Sequence, residues 1–113
     1  MKKTKMMKKN YEFKKIFEKG KYFSGKYIEA FIKKDENSKE LFLGIAIGVK
    51  IAKAVKRNHI KRLIRENYYI IEPKIIDGGN IIFMWKKKVD IKNATFKNIQ
   101  LDMENILKKA EMI

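Results

Sequence analysis

Only three arginines occur in this 113-residue chain against 25 lysines, and all three, Arg57, Arg62 and Arg65, fall within nine residues. A lysine-rich composition scatters lysines everywhere; it does not cluster arginines. The guanidinium is the cation suited to a two-pronged grip on phosphate oxygens or to stacking on a base. At 3.6 residues per turn, Asn58, Arg62 and Arg65 share one helical face, with Lys61 at its edge. A stripe of Ile60, Leu63 and Ile64 lies opposite. Residues 50–65 carry seven Lys and Arg side chains and no acid, whereas a merely solvated helix face usually mixes signs. The pattern points to phosphate binding. The first turn of such a helix, near residues 53–57, adds free N–H groups and the positive end of the macrodipole.

Other chemistries are poorly provided for. His59 is the sole histidine, so a two-histidine acid–base pair is impossible, and inside a basic helix it reads as a surface side chain rather than a catalyst. The absence of cysteine removes disulfides, thiolate metal sites and thiol nucleophiles. Carboxylates are scattered, and Asp102 and Glu104, two apart on a helix, point in different directions. Gly78-Gly79 is an isolated turn, not a phosphate-cradling loop. No catalytic residue and no protein metal site are expected.

A second surface suits single-stranded nucleic acid. Phe13 and Phe17 lie one helical turn apart, and unpaired bases stack on such rings. Packing on a sheet explains the pair equally well, since Ile16 lies between them. Tyr27 and Phe31 alternate with Glu29 and Lys33 along a strand and could line the same sheet face. Lys86, Lys87 and Lys88 either meet phosphates at the mouth of that face or form a solvated loop.

The length suits one domain, 1–113, and 45% hydrophobic residues suffice for one core. A net charge of +15 favours a polyanionic partner. The lysines among residues 2–9 read as a flexible basic arm that spans 1–9. Asn10 could cap a helix bearing Phe13, Ile16 and Phe17, stopped at Gly20. Residues 27–33 alternate as a strand, 35–40 turn, and 41–49 form a second strand bent at Gly44 or Gly48. The period becomes helical over 56–71, with Ile60, Leu63, Ile64, Tyr68 and Ile71 as its apolar stripe. Residues 81–85 are apolar on both faces, as in a strand buried within a sheet. A last helix over 94–109 has Thr95 or Asn93 as its cap. Strand–helix–strand implies a parallel pair, and the whole an α/β sandwich. The longest apolar run, 81–85, is too short to cross a bilayer, which suits a soluble protein of the cytoplasm.

The stretch Ala54-Val55-Lys56-Arg57-Asn58-His59-Ile60-Lys61-Arg62-Leu63-Ile64-Arg65 resembles the signature of the bacterial ribonuclease P protein subunit. Lys9-Asn10 before the Phe13 and Phe17 helix, the Leu43-Gly44 strand and the Lys50-Ile51 lead-in follow the family's order. The chain departs from the pattern at Gly48-Val49-Lys50, at Ala52-Lys53 and at His59, which stands where the family has a second arginine.

The resemblance implies a two-layer α+β sandwich with a mixed four-stranded sheet and three helices, in the order αβββαβα with a left-handed crossover. It implies a ribonucleoprotein that hydrolyses a phosphodiester to remove the 5′ leader of precursor tRNA, its RNA subunit doing the chemistry with Mg²⁺ held by RNA and substrate. The partners implied are that catalytic RNA and precursor tRNA, with no membrane or DNA. Catalytic RNA would meet Lys50, Lys53, Lys56, Arg57, Asn58, His59, Lys61, Arg62 and Arg65. Phe13, Phe17, Tyr27, Phe31, Lys33, Lys86, Lys87 and Lys88 would hold the leader, in a cleft between the first helix, the last helix and the sheet. A purely structural RNA-binding module, such as a ribosomal protein, is the competing reading. A helix-turn-helix DNA binder would need a helix where residues 41–49 read as a strand.

Overall fold

The computed structural model describes residues 3–113. The fold is organised around the strand whose sequence is apolar on both faces. Strand β5 (Gly79–Trp85) sends Ile81, Phe83 and Trp85 to one side and Ile82 and Met84 to the other. Each side therefore needs a cover. In chain order the elements are β1 (Thr4–Met6), α1 (Asn10–Lys19), β2 (Lys21–Ser24), β3 (Ile28–Lys34), β4 (Leu41–Ala46), α2 (Ala54–Ile71), β5 and α3 (Phe96–Lys109). The sheet runs β1-β4-β5-β3-β2. The expected parallel pair is present as β4 and β5, with β3 antiparallel on the other side of β5.

The main core lies between the sheet and the helices α2 and α3. It joins Ile28, Ala30 and Ile32 of β3 to Ile60, Leu63, Ile64 and Tyr68 of α2 and to Ile99, Met103, Ile106 and Leu107 of α3. Helix α1 lies on the opposite face, where Ile16 packs with Ile82 and Met7. Gly44 makes that approach possible, because a Cβ there would sit 2.6 Å from the ring of Phe13. Asn67 of α2 ties the two helices of the main layer, donating to the carbonyls of Leu63 (3.0 Å) and Phe96 (3.1 Å).

Several expectations need correction. Among the described residues the sheet has five strands rather than four, and helices cover both of its faces, so the two-layer description fails. Strands β1 and β2 are both absent from the periodicity reading, since three and four residues are too few to show a period. Strand β4 ends at Ala46, not at 49, and the chain turns through 47–53 before α2. Lys9, not Asn10, occupies the cap position of α1, and the Glu12 carboxylate accepts its backbone N–H at 3.2 Å. Of the two candidate caps for α3, Thr95 is used, its hydroxyl accepting from the Asn98 N–H at 3.2 Å.

The basic arm is corrected as well, because Thr4–Met6 is a strand pairing in parallel with β4. Residues 1–2 of that arm lie outside the described residues. The strand is anchored by a buried hydrogen bond of 2.8 Å between the hydroxyls of Thr4 and Tyr68. Burial pushes the Tyr68 hydroxyl up to about 12; the Thr4 bond opposes the shift and the nearby Glu72 charge adds to it. The folded state thus prefers protonated Tyr68 at a pH where the unfolded chain would ionise it. Stability from this group is complete below pH 10 and declines as pH rises from there towards 12, by about 2–3 kcal/mol at most. Denaturation of wild type and Tyr68→Phe should therefore show a difference constant up to pH 10 and shrinking above it.

Candidate nucleic-acid interfaces

Helix α2 forms because its apolar residues recur at helical spacing and find the sheet, burying Ile60, Leu63, Ile64, Tyr68 and Ile71. Its outer face is the predicted one. Lys50, Lys53, Lys56, Asn58, His59, Arg62 and Arg65 are exposed, and Arg57 and Lys61 are half-buried. No side chain caps the amino terminus at Lys53 and no acid sits in the first turn, so the N–H groups there can meet an anion.

The three arginines are not equivalent. Arg57 turns back on the loop before the helix, donating to the Ala52 carbonyl at 2.7 Å and more weakly to that of Val49 at 3.4 Å. It shapes the 47–53 loop at least as much as it offers charge. Arg62 pairs with Glu66 at 2.9 Å, an exposed contact one helical turn away. Such a pair is worth about 0.3–0.5 kcal/mol and yields readily to a phosphate. Arg65 has no ion-pair partner among the described residues. His59 lines a groove with Lys56, Asp90, Ile91 and Lys92, between α2 and the turn ahead of α3.

The second surface is built on the α1 side of the sheet. Phe13 and Phe17 lie with centroids 6.5 Å apart, and Phe17 meets Phe31 edge-on at 5.3 Å. Tyr22 continues the row, 5.3 Å from Phe31. The two phenylalanines are not buried alike: Phe13 packs against Gly44, while Phe17 keeps 37% of its surface exposed. Tyr22 is a residue the sequence reading missed. No periodicity marks it, because β2 is only four residues long. The Tyr22 hydroxyl donates to the Glu29 carboxylate, and that bond raises its pKa. A carboxylate on the floor disfavours phosphate, so this row suits the flat faces of bases.

Tyr27 does not join the row. It stacks on Trp85 at 6.4 Å, on the side of the sheet that faces α2 and α3. The turn before β3 breaks the alternation on which its placement depended. That turn is held by Asp102 of α3, whose buried carboxylate accepts from the N–H groups of Lys26 (3.0 Å), Tyr27 (2.6 Å) and Ile28 (2.9 Å). Gly25 leaves room for it, since a Cβ there would lie 2.6 Å from that carboxylate. Lys86 is drawn into the same turn, donating to Ser24 Oγ (2.9 Å) and the Gly25 carbonyl (3.0 Å), while Lys87 and Lys88 stay exposed. Lys33 lies at the far end of β3. Helices α1 and α3 occupy opposite faces and come together only at their ends, where Lys19 and Lys109 line one concavity beside β2; the aromatic groove itself lies between α1 and the sheet.

Among the described residues no group of three or more His, Asp or Glu side chains converges as a metal site, and no helix is long and apolar enough to cross a membrane. The surface therefore offers a cationic helix and an aromatic groove separated by a sheet. This mixed α+β fold is that of the bacterial RNase P proteins. It matches the structure of the Staphylococcus aureus RNase P protein with a TM-score of 0.81 at 31% identity, over 95% of each chain. The protein from Thermotoga maritima matches with a TM-score of 0.80 at 26% identity, over 93% of this chain and 96% of that one. The sequence is 36% identical over 110 residues to a ribonuclease P protein component of Clostridioides difficile, covering 96% of this chain and 94% of the relative. The family pattern described as Ribonuclease P matches residues 1–111, and the chain belongs to that family. Its members are the protein subunit of an endoribonuclease of tRNA 5′ processing in which the RNA is the catalyst.

Replacing Asp102 by Ala would leave three N–H groups of the β2–β3 turn without their acceptor. Unpaired buried donors cost about 1–3 kcal/mol each, and water entering the vacated site recovers part of this. A net loss of about 3 kcal/mol is expected, read as a lower urea midpoint with unchanged slope. A midpoint equal to wild type would show that the carboxylate does not hold the turn.

Proposed function

We propose that this chain docks on the catalytic RNA of ribonuclease P through the outer face of α2, and holds the single-stranded 5′ leader of precursor tRNA in the aromatic groove beside α1. The observation that carries the reading is the division of the surface. An acid-poor helix face with an uncapped amino terminus suits a phosphate backbone, whereas the row from Phe13 to Tyr22 suits unstacked bases, and the sheet keeps the two apart. One side of the protein can then bind the enzyme's RNA while the other stays free for substrate.

The contacts assigned to catalytic RNA are Lys50, Lys53, Lys56, Asn58, His59, Lys61, Arg62 and Arg65, with Arg57 chiefly shaping the loop. The leader contacts are Phe13, Phe17, Phe31 and Tyr22, with Lys33, Lys87 and Lys88 towards the ends. Mg²⁺ is the metal this chemistry uses, and RNA and substrate phosphates would hold it. The buried Asp102 carboxylate, beside the β2–β3 turn, already accepts three N–H groups. The protein's part is to lower repulsion between two polyanions, so that substrate and Mg²⁺ bind the complex at lower concentration. The cytoplasm, where precursor tRNA is processed, is the proposed place of work.

The test is reconstitution at low Mg²⁺. The RNA subunit alone should process precursor tRNA poorly, and addition of this protein should restore cleavage. Charge reversal of Arg62 and Arg65 to Glu should weaken assembly about a hundredfold at physiological salt and flatten its salt dependence. Phe17→Ala with Phe31→Ala should leave assembly intact and weaken precursor binding about tenfold, given about 1–3 kcal/mol per stacked base, with no change for mature tRNA. A protein that binds the RNA yet never alters leader removal would be a structural RNA-binding module instead.

A further inference from the structure

Lysine also crowds a part of the surface that lies beyond the groove. Where the ends of α1, β3 and α3 meet strand β2, Lys19, Lys21, Lys33, Lys34 and Lys109 line a basin of about 370 Å³. Glu111 is the one acid among its lining residues, and none of the five lysines is in an ion pair with a described residue. Lys19 and Lys109 sit in the last turns of helices, where a cation offsets the macrodipole. Lys21, Lys33 and Lys34 are on strands and have no such reason to gather.

Two features of the fold connect this basin to the groove. Strand β2 is an edge strand, and its residues alternate between faces: Tyr22 points to the groove against Phe31, whereas Lys21 and Phe23 point to the basin side. The groove and the basin are thus the two sides of one four-residue strand. The second feature is direction. Helix α2 begins just past the Ala46 end of the sheet, whereas Lys34 pairs with Gly79 and Lys21 with Ile32 at the opposite end. A strand entering beside the amino terminus of α2 and crossing Phe31 leaves the protein at the basin.

Building on the leader reading above, we propose that this five-lysine basin binds the phosphodiester backbone of the 5′-distal leader, after the strand has left the aromatic groove and rounded β2 at Tyr22. The groove takes bases near the cleavage site; the basin takes charge farther upstream, with no preference of sequence.

The experiment measures binding of reconstituted holoenzyme to mature tRNA and to precursors with leaders of stepwise increasing length, at several salt concentrations. In wild type, affinity should rise in two stages, the second carrying an added salt slope of about 0.7 per phosphate contacted. The double variant K21E/K109E should lose the second stage, about a tenfold loss for long leaders, and keep short-leader and mature-tRNA affinity. The milder K21Q/K109Q should shift long-leader binding the same way by less, and retained short-leader binding reports an intact fold in both. A second stage that survives both variants overturns the proposal, as does a single-stage rise in wild type. Loss at every leader length, mature tRNA included, overturns it too, by placing the basin on catalytic RNA. If wild type shows no preference for any precursor over mature tRNA, the groove reading itself has failed, an outcome distinct from loss of the second stage alone.

Discussion

Strand β5 is apolar on both faces, and a strand of that kind cannot be stable with either face in water. Its burial calls for a helical layer on each side of a five-stranded sheet. Helices α2 and α3 supply the larger layer over Ile81, Phe83 and Trp85, and α1 the smaller one over Ile82. One short helix cannot cover a whole sheet face, so the remainder stays open beside Phe17 and Phe31. The groove is a consequence of unequal cover, and α2 faces the other way for the same reason.

Charge enters this architecture in two capacities. Part of it is spent on the backbone: Arg57 holds the loop before α2, Lys86 holds the β2–β3 turn, and Asp102 gathers three N–H groups from a chain segment some 75 residues away. These side chains fix the rims of the two interfaces. The rest is free at the surface, and most of it is positive, so a net charge of +15 is concentrated outside the core. Self-repulsion on that scale is relieved by a polyanion, which links RNA binding to the stability of the compact state. Arg62 shows how the two capacities meet, its bond to Glu66 being an exposed contact easily exchanged for phosphate.

Much of this was legible in the residues alone. Helix α2, with its dry stripe and cationic outer face, follows from spacing, because helical period and side-chain chemistry are both local. So do the doubly apolar β5, the parallel pairing across α2 and the Phe13 and Phe17 pair. The long arginine-bearing motif carried the family as well. Each depends on what lies within a few turns of chain, and a sequence displays that directly.

Tertiary structure decided what depends on distant partners. Strand β1 is three residues long, too short for any periodicity, and exists because β4 offers an edge and Tyr68 a hydrogen bond. Tyr27 faces Trp85 rather than Phe31 because the turn ahead of β3, pinned by Asp102, rotates the chain before the alternation begins. Lys86 and Arg57 look like free cations in the sequence and are hydrogen-bonded anchors in the fold. The strand order places β5 between β4 and β3, a long-range pairing that local pattern does not specify, and helices then cover both of its apolar faces. Local sequence thus determined which elements form and which chemistry they bear; non-local hydrogen bonding and strand order decided which side chains share a surface.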